Sequence, residues 1–168
     1  MDIDTFLHLH GMSLQRHAHP AVMTCAEADL LVPSLPGART KNLFLYGKKS
    51  RGHFLVTVPS DSSVDLARLG EFLGVGKLSL ASSGSLAEHL GVSPGAVSLL
   101  ALMNDEALSV EFVIDRSLWG AAAVLAHPLE NTATVIVPKG ALVRFLAATG
   151  HVPRVIDVPV RKLEGVTS

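Results

Sequence analysis

Cysteine is almost absent from this sequence, because Cys25 is its only cysteine. A single cysteine excludes a disulfide within the chain and is compatible with a reducing compartment. Long apolar runs are missing too, so no segment is predicted to span a bilayer and no membrane partner is expected. The chain begins Met-Asp-Ile-Asp, which is acidic where a signal peptide would be basic, so we expect a cytoplasmic protein.

An excess of charge of either sign is also missing, since the formal net charge is -1. A nucleic-acid partner would therefore have to be held by a local basic patch. Aromatic residues make up only 5% of the chain, against 48% hydrophobic residues, so we expect a core of Leu, Val and Ala. The 168 residues are enough for one domain with a sizeable core, so residues 1–168 are predicted to form a single domain.

Positive charge is concentrated in residues 39–51, which contain five cations and no carboxylate. An apolar run over residues 43–46 predicts a strand, and Lys41 and Asn42 lie just before it. A tight turn with three cations is predicted to follow this strand. These cations are Lys48, Lys49 and Arg51. The pattern suits an anionic ligand such as a polyphosphate backbone, although a solvated basic hairpin is the simpler interpretation of the stretch alone.

The rest of the chain predicts interspersed helices and strands. Helices are predicted at 4–10, from a capping box at 24–27, at 64–73, from a second capping box at 85–88 to Gly91, near 117–119 and at 138–150. Strands are predicted at 14–18, 53–58, 77–81, 109–114, 121–126, 132–137 and 155–158, with a loosely packed tail after about residue 159. Hairpins outnumber β-α-β units, which favours an α+β fold with a mixed, mostly antiparallel sheet wrapped by helices.

Two pairs of histidines two residues apart are candidate metal ligands. His8 and His10 fall in a predicted helix, where residues two apart diverge, and no cysteine or acidic cluster completes a set with His17 and His19. We therefore predict no metal site and no cofactor. Cys25 is disfavoured as a nucleophile, because it lies in the first turn of a capped helix without an identifiable histidine partner.

Two further stretches contain residues suited to binding. The loop at 93–98 is either a connector or a site where Gly95 and Ala96 let a ligand approach backbone amides. The segment 127–131 combines the imidazole of His127, a rigid proline and the amide of Asn131 just before a strand. A His127 that is merely hydrogen-bonded to the backbone is an equal alternative. The sequence contains no Walker lysine and no dinucleotide-binding fingerprint.

Four motifs occur in a fixed order: Thr40-Lys41-Asn42-Leu43-Phe44-Leu45, Ser93-Pro94-Gly95-Ala96-Val97-Ser98, Met103-Asn104-Asp105 and His127-Pro128-Leu129-Glu130-Asn131-Thr132. Together they resemble the free-standing editing domains related to the insertion domain of bacterial prolyl-tRNA synthetase (the YbaK-like superfamily). The resemblance extends from His19-Pro20 to about Val155, most of the chain. Within this superfamily the sequence is most similar to the alanyl-tRNA(Pro) deacylase type.

The resemblance implies a mixed sheet wrapped by helices and metal-independent hydrolysis of mischarged tRNA. By position, Lys41 matches the family's catalytic-site lysine and Asn42 the residue beside it. The stretch 95–99 matches the family's Gly-x-x-x-Pro loop, and His127 matches its pocket histidine. Leu99 stands where the family has proline, which would stiffen the loop, so this difference bears on the preferred substrate side chain.

From this resemblance we predict catalytic roles for Lys41, Gly95 and His127. The predicted substrate-binding residues are Asn42, Ala96, Val97, Ser98, Leu99 and Asn131, and the predicted tRNA-binding residues are Lys48, Lys49 and Arg51. Backbone amides around Gly95 would stabilise the oxyanion, and Lys41 would hold the terminal phosphate or polarise the ester. A water molecule, positioned with help from the tRNA 2′-hydroxyl, would be the nucleophile.

The expected partner is a mischarged tRNA, with tRNA(Pro) as the leading candidate, prolyl-tRNA synthetase as a second expected partner, and a monomer favoured. Two alternatives stay open. One is a deacylase for another small amino acid, such as 2-aminobutyrate, Ser, Thr or Cys. The other is a non-catalytic module that binds tRNA or another nucleic acid. The combination of Lys41, the Gly95 loop and His127 favours catalysis, because simple binding would not require it.

Overall fold

A computed structural model of the chain describes residues 1–22, 24, 27, 30 and 34–161. Its strands are β1 (Gln15–Ala18), β2 (Thr40–Gly47), β3 (Gly52–Pro59), β4 (Leu78–Leu80), β5 (Val110–Asp115), β6 (Ala123–Ala126), β7 (Ala133–Pro138) and β8 (Arg154–Ile156). Its α-helices are α1 (Ile3–Leu9), α2 (Leu66–Leu73), α3 (Ser83–Leu90), α4 (Arg116–Trp119) and α5 (Lys139–Thr149). Two 3-10 helices span Pro94–Ala96 and Leu99–Asn104.

The strands form two sheets. The larger sheet has the order β4-β2-β3-β5-β8, and the smaller one has the order β1-β7-β6. β2 is antiparallel to β4 and β3, whereas β5 is parallel to β3 and β8. The smaller sheet is antiparallel throughout. The predicted α+β class with mixed, mostly antiparallel pairing is therefore confirmed, and the structure adds that the strands divide between two sheets.

The hairpin of β2 and β3 is the centre of the larger sheet. Its apolar, β-branched and aromatic residues favour extended pairing, and the tight turn fixes the register with Gly47 opposite Gly52. Arg51 closes the turn in the left-handed region with a φ of 54°. The register that follows places Asn42 directly opposite Thr57.

The two faces of β2 pack into two different cores. Phe44 belongs to the larger core, together with Leu55 of β3 and the fully buried Leu99. Leu45 belongs to the smaller core, together with Leu69 of α2. Residues two apart on a strand share a face, so alternate residues of β2 serve each core. A fully buried leucine contributes about 1.5–3 kcal/mol of transfer free energy, so these contacts hold β2 firmly from both sides.

The start of β2 is attached to the smaller sheet. Ala38 forms a parallel bridge with Val124, and the Leu125 amide donates to the Ala38 carbonyl at 2.9 Å. The hydroxyl of Thr40 then donates to the carbonyl oxygen of Leu125 at 2.7 Å. The two chain segments run in the same direction here, so the residues that follow on β2 and β6 leave this contact side by side.

Helix ends follow the sequence with one correction. α3 begins a turn earlier than the predicted capping box, because Ser82 is its N-cap and accepts a hydrogen bond from the Ser85 amide at 3.1 Å. Several nearby serines offer alternative caps, and the Ser82 hydroxyl is the one that caps this helix, which buries Leu86 and Leu90. Gly91 ends the helix in the left-handed conformation, as predicted.

The other predicted capping box lies at the edge of the described residues. The Glu27 amide donates to Thr24 Oγ1 at 3.1 Å, as the box predicts, whereas Cys25 lies outside the described residues. Near the other end of the chain, past the predicted start of the loose tail, the Arg161 amide still donates to the Ser63 carbonyl at 2.7 Å. Residues 162–168 lie outside the description. Within the described parts, no helix is long and apolar enough to cross a membrane.

Candidate active site

His127 follows β6 directly and has a fixed orientation. Its Nδ1 lies 3.0 Å from the carbonyl oxygen of Ala133 on β7. A carbonyl only accepts, so Nδ1 must carry the proton, and Nε2 of the neutral ring is left as a hydrogen-bond acceptor. The half-buried ring therefore presents a lone pair of defined direction. The sequence leaves two interpretations of His127 open, a histidine bonded to the backbone and a functional residue. The two are compatible, because the bond to the backbone uses only one of the two ring nitrogens.

A second imidazole stands beside His127. The ring centroids of His19 and His127 are 6.2 Å apart. His19 Nδ1 lies 2.8 Å from the Pro20 carbonyl oxygen, and its Nε2 lies 2.9 Å from the hydroxyl of Thr134. Because Nδ1 must donate to the carbonyl, Nε2 accepts from Thr134, and both nitrogens of the neutral ring are engaged. His19 therefore acts as a wall beside His127.

The turn that carries His127 has an unusual backbone. Leu129 has a φ of 64°, a left-handed conformation that non-glycine residues adopt at a cost of about 1 kcal/mol or more. The side chain of Leu129 packs against the larger core, and Pro128 is buried. At the end of the turn, the carbonyl of Asn131 accepts a hydrogen bond from the Val22 amide at 3.1 Å. Tertiary contacts thus hold a strained turn at the predicted site.

Asn42 lies at the start of β2, near the attachment to β6. It is half-buried, and its Oδ1 accepts the Thr57 hydroxyl at 2.6 Å. Asn42 and His127 are each two residues beyond the contact between Thr40 and Leu125. Two residues of extended chain span about 7 Å, so the attachment brings Asn42 and His127 to the same end of the two sheets.

The Gly95 loop supplies backbone more than side chains. Pro94–Ala96 is a 3-10 turn in which the Ala96 amide donates to the Ser93 carbonyl at 2.9 Å. Ala96 is buried, and Leu99 is fully buried in the larger core. The Ser98 hydroxyl is also buried and caps the next 3-10 helix by accepting the Leu100 amide at 3.2 Å. Of the predicted substrate-binding residues in this loop, Val97 is the one with a half-exposed side chain.

The Asn104-Asp105 motif supports the structure around the loop. Asn104 Nδ2 donates to the Leu90 carbonyl at 2.8 Å. Asp105 is buried and accepts from the amides of Ser109 and Val110, from the Ser109 hydroxyl, and from His151 Nε2 at 2.8 Å. Although burial alone would raise the pKa of Asp105, these hydrogen bonds from His151, Ser109 and Val110 together lower it below its ordinary value. All of these groups are occupied within the fold.

Lys41 lies beside Asn42 in sequence but on the other face of β2. Strand alternation places it with Leu43 and Leu45, which pack on the smaller core, whereas Asn42 shares the face of Phe44. Lys41 is half-buried, and its ammonium makes no hydrogen bond or ion pair with another described residue. Its four-carbon side chain would have to reach around the edge of β2 to meet a ligand bound beside Asn42.

The three cations of the turn lie at the opposite end of the hairpin. Lys48 is seven residues beyond Lys41, roughly 20 Å along an extended strand. Lys48, Lys49 and Arg51 are all exposed. This distance separates the three cations from the site, and a short single-stranded segment of nucleic acid can span it.

An aromatic cluster stands next to the basic turn. The His53 ring lies 4.3 Å from that of His89 and 5.2 Å from that of Tyr46, measured between centroids. Burial lowers the pKa of His53 first, and the neighbouring His89 lowers it further, against a smaller opposing effect of Glu88. His53 is therefore largely uncharged near neutral pH, and the positive charge of this region comes from the turn.

The sequence analysis points to neither Thr57 nor Thr134 near the site, and it singles out His19 only as a metal-ligand candidate. Thr57 could have been found, because a tight turn between Gly47 and Gly52 sets the register that pairs it with Asn42. Thr134 and the contact between His19 and His127 depend on the pairing of β1 with β7, which are far apart in the chain. In the described residues, no group of three or more His, Cys, Asp or Glu side chains is arranged to hold a metal ion.

Comparison with known proteins gives consistent matches. The aminoacyl-tRNA editing domain family matches residues 19–145. The prolyl-tRNA editing protein ProX of Acetoanaerobium sticklandii is 36% identical over 140 residues, covering 83% of this chain and 85% of that protein. The prolyl-tRNA synthetase associated domain-containing protein 1 of Danio rerio is 38% identical over 158 residues, covering 93% of this chain and 85% of that protein.

A solved structure shares the fold. It is the crystal structure of a candidate trans-editing enzyme for prolyl-tRNA synthetase, with a TM-score of 0.70 at 23% identity, covering 95% of each chain. At this identity the similarity shows the fold alone. The family match and the two relatives go further, since they cover most of the sequence. The chain belongs to the aminoacyl-tRNA editing domain family.

Proposed function

We propose that this protein hydrolyses the aminoacyl ester of mischarged tRNA in trans, with alanyl-tRNA(Pro) as its main substrate, and so protects the accuracy of translation. The observation that carries the proposal is the attachment of Thr40 to Leu125. It supports a shared site for Asn42 and His127, in a chain whose relatives include a protein named for prolyl-tRNA editing.

The proposed reaction needs little from the protein, because an aminoacyl ester is already activated. A water molecule attacks the carbonyl carbon, and the bond between the acyl carbon and the ribose oxygen breaks. The proton of the water passes to that ribose oxygen, which leaves the free amino acid and the uncharged tRNA. Binding, orientation and stabilisation of the developing oxyanion are then the main contributions of the site.

Each residue has a proposed role in this reaction. The Asn42 amide and the backbone amides around Gly95 donate hydrogen bonds to the oxyanion. His127 Nε2 accepts a hydrogen bond from the attacking water, which agrees with the proton on its Nδ1. Lys41 binds the phosphate of the terminal nucleotide, as its free ammonium allows. No metal takes part in the proposed reaction.

The preference for alanine is proposed to be steric. Val97 and His127 would wall a small chamber, with the His19 ring behind it. A synthetase pocket made for proline discriminates poorly against alanine, because a missing methylene costs only about 1–3 kcal/mol of binding. A second site that admits only smaller side chains corrects this error. Because Leu99 is buried, we propose that its exchange for the family's proline acts through the shape of the loop and not through a direct contact with the substrate.

A panel of charged tRNAs tests the proposal. We expect the protein to release alanine from tRNA(Pro) fastest, with slower release of 2-aminobutyrate or Ser, and with the same rates in the presence of a chelator. The same panel with Thr and Cys separates the proposed substrate from the other small amino acids. Charged tRNA that is bound but never deacylated would contradict the proposal and indicate a binding module. Loss of activity with the chelator and its return with zinc would contradict the metal-free reaction.

A further inference from the structure

Thr57 is fully buried in the middle of the sheet, and among the described residues its hydroxyl has one hydrogen-bond acceptor, Asn42. The residue has a relative exposure of 0%. Its Oγ1 lies 2.6 Å from Asn42 Oδ1, on the strand directly opposite. A buried hydroxyl that donates no hydrogen bond costs free energy, so this contact is not interchangeable with solvent.

The buried hydroxyl determines which way the Asn42 amide points. If the amide were flipped, its nitrogen would face Thr57, and the Thr57 proton would have no acceptor among the described residues. The oxygen of the amide therefore faces Thr57, and the NH₂ group points away from Thr57. This NH₂ group has no hydrogen-bond partner in the described part of the chain.

We propose that Thr57 is a positioning residue, whose hydroxyl locks the Asn42 amide so that its NH₂ group donates to the oxyanion of the ester. The inference rests on the proposed deacylation and assigns a role to a residue that does not touch the substrate. Orientation matters here because the two ends of an amide have opposite polarity. A flipped amide would present its oxygen to the developing negative charge and destabilise the transition state.

The substitution Thr57→Val tests this role, because valine keeps the shape of threonine and removes only the hydroxyl. We expect kcat for alanyl-tRNA(Pro) to fall about tenfold with little change in KM, because the lost interaction forms in the transition state. Thr57→Ser keeps the donor and should restore most of kcat. Ser117→Ala removes a hydroxyl that donates to Asp115 at the start of α4, outside the proposed site, and should leave kcat unchanged.

A double-mutant cycle separates positioning from simple loss of stability. Asn42→Ala should lower kcat, and adding Thr57→Val in that background should change it by less than about twofold. If the losses in kcat of Asn42→Ala and Thr57→Val multiply in the double variant, the inference is wrong. Full activity of a folded Thr57→Val variant would overturn it as well. If Thr57→Val does not fold, Thr57→Ala and Thr57→Ser are compared instead. Of these two, only Thr57→Ala lacks the hydroxyl, so only Thr57→Ala should have a lower kcat. A wild-type protein that deacylates nothing would instead refute the proposed function.

Discussion

The basic turn between β2 and β3 allows a quantitative prediction for tRNA binding. Replacing Lys48, Lys49 and Arg51 together by glutamine removes three positive charges that are exposed in the structure. Glutamine is preferred to a smaller residue, because it keeps the side-chain carbons with which Lys49 lies against Gly76. At Arg51 the left-handed conformation costs arginine and glutamine about the same, so this exchange adds no backbone strain.

The magnitude follows from counterion release. Each neutralised phosphate contributes about 0.7 to 0.9 to the slope of log K against log salt, so three contacts contribute about 2 to 3. Between 50 and 200 mM salt these contacts would account for a loss in affinity of about 20- to 40-fold. The neutralised variant should lose that part of the salt dependence, because His53 beside the turn is largely uncharged and contributes little.

The assay is equilibrium binding of uncharged tRNA, followed by fluorescence anisotropy over a range of salt. The control neutralises two exposed arginines elsewhere, Arg68 on α2 and Arg154 on β8, and should keep the wild-type slope. An unchanged slope in the triple variant, or an equal loss in the control, would refute the turn as the tRNA contact. Because this assay measures binding only, its outcome does not depend on whether the protein is catalytic.

Two further predictions concern Lys41 and Asp105. Lys41→Ala should keep the fold, because the Lys41 ammonium has no described partner. It should lower kcat/KM for alanyl-tRNA(Pro) at least about tenfold, or about 1.4 kcal/mol. The control Lys77→Ala should leave kcat/KM unchanged. Full activity of folded Lys41→Ala would remove this residue from the site. Asp105→Asn should lower the free energy of unfolding at pH 7 by about 2–3 kcal/mol, because the buried carboxylate loses charge-assisted hydrogen bonds. The pKa of Asp105 is lowered on folding, so its contribution is present above the unfolded pKa near 3.8 and is lost as the pH falls below it. Urea unfolding between about pH 5 and pH 3 should therefore show a steeper loss in the wild type than in Asp105→Asn, and equal slopes would refute the assignment.

Local patterns predicted much of the fold, because they depend on neighbouring residues. The β2–β3 hairpin, the helix ends at Gly74 and Gly91, and the last helix to Gly150 all follow from turn and cap chemistry. The start of α3 was predicted a turn too late, since Ser82 and Ser85 offer similar local signals and packing selects between them. The division into two sheets depends on pairing between strands that are distant in the chain, and local periodicity does not predict such pairing.

For the candidate site too, the sequence predicted one part and only the structure revealed the other. Lys41, Asn42, Gly95 and His127 were identified from motifs, yet their relative placement needed the structure. Strand alternation puts Lys41 and Asn42 on opposite faces once β2 is known to begin at Thr40, whereas the sequence places both residues before the strand. No local signal shows that the side chains of Ala96, Ser98 and Leu99 are buried. The strained Leu129 likewise depends on packing of its side chain against the larger core.

The most direct test of the account compares two esters on the same tRNA. Alanyl-tRNA(Pro) and prolyl-tRNA(Pro) are incubated with equal amounts of the protein, and the loss of each amino acid is followed against the uncatalysed rate. We expect rapid release of alanine and a rate for proline close to that without protein. Rapid hydrolysis of the proline ester, or no acceleration for the alanine ester, would contradict it.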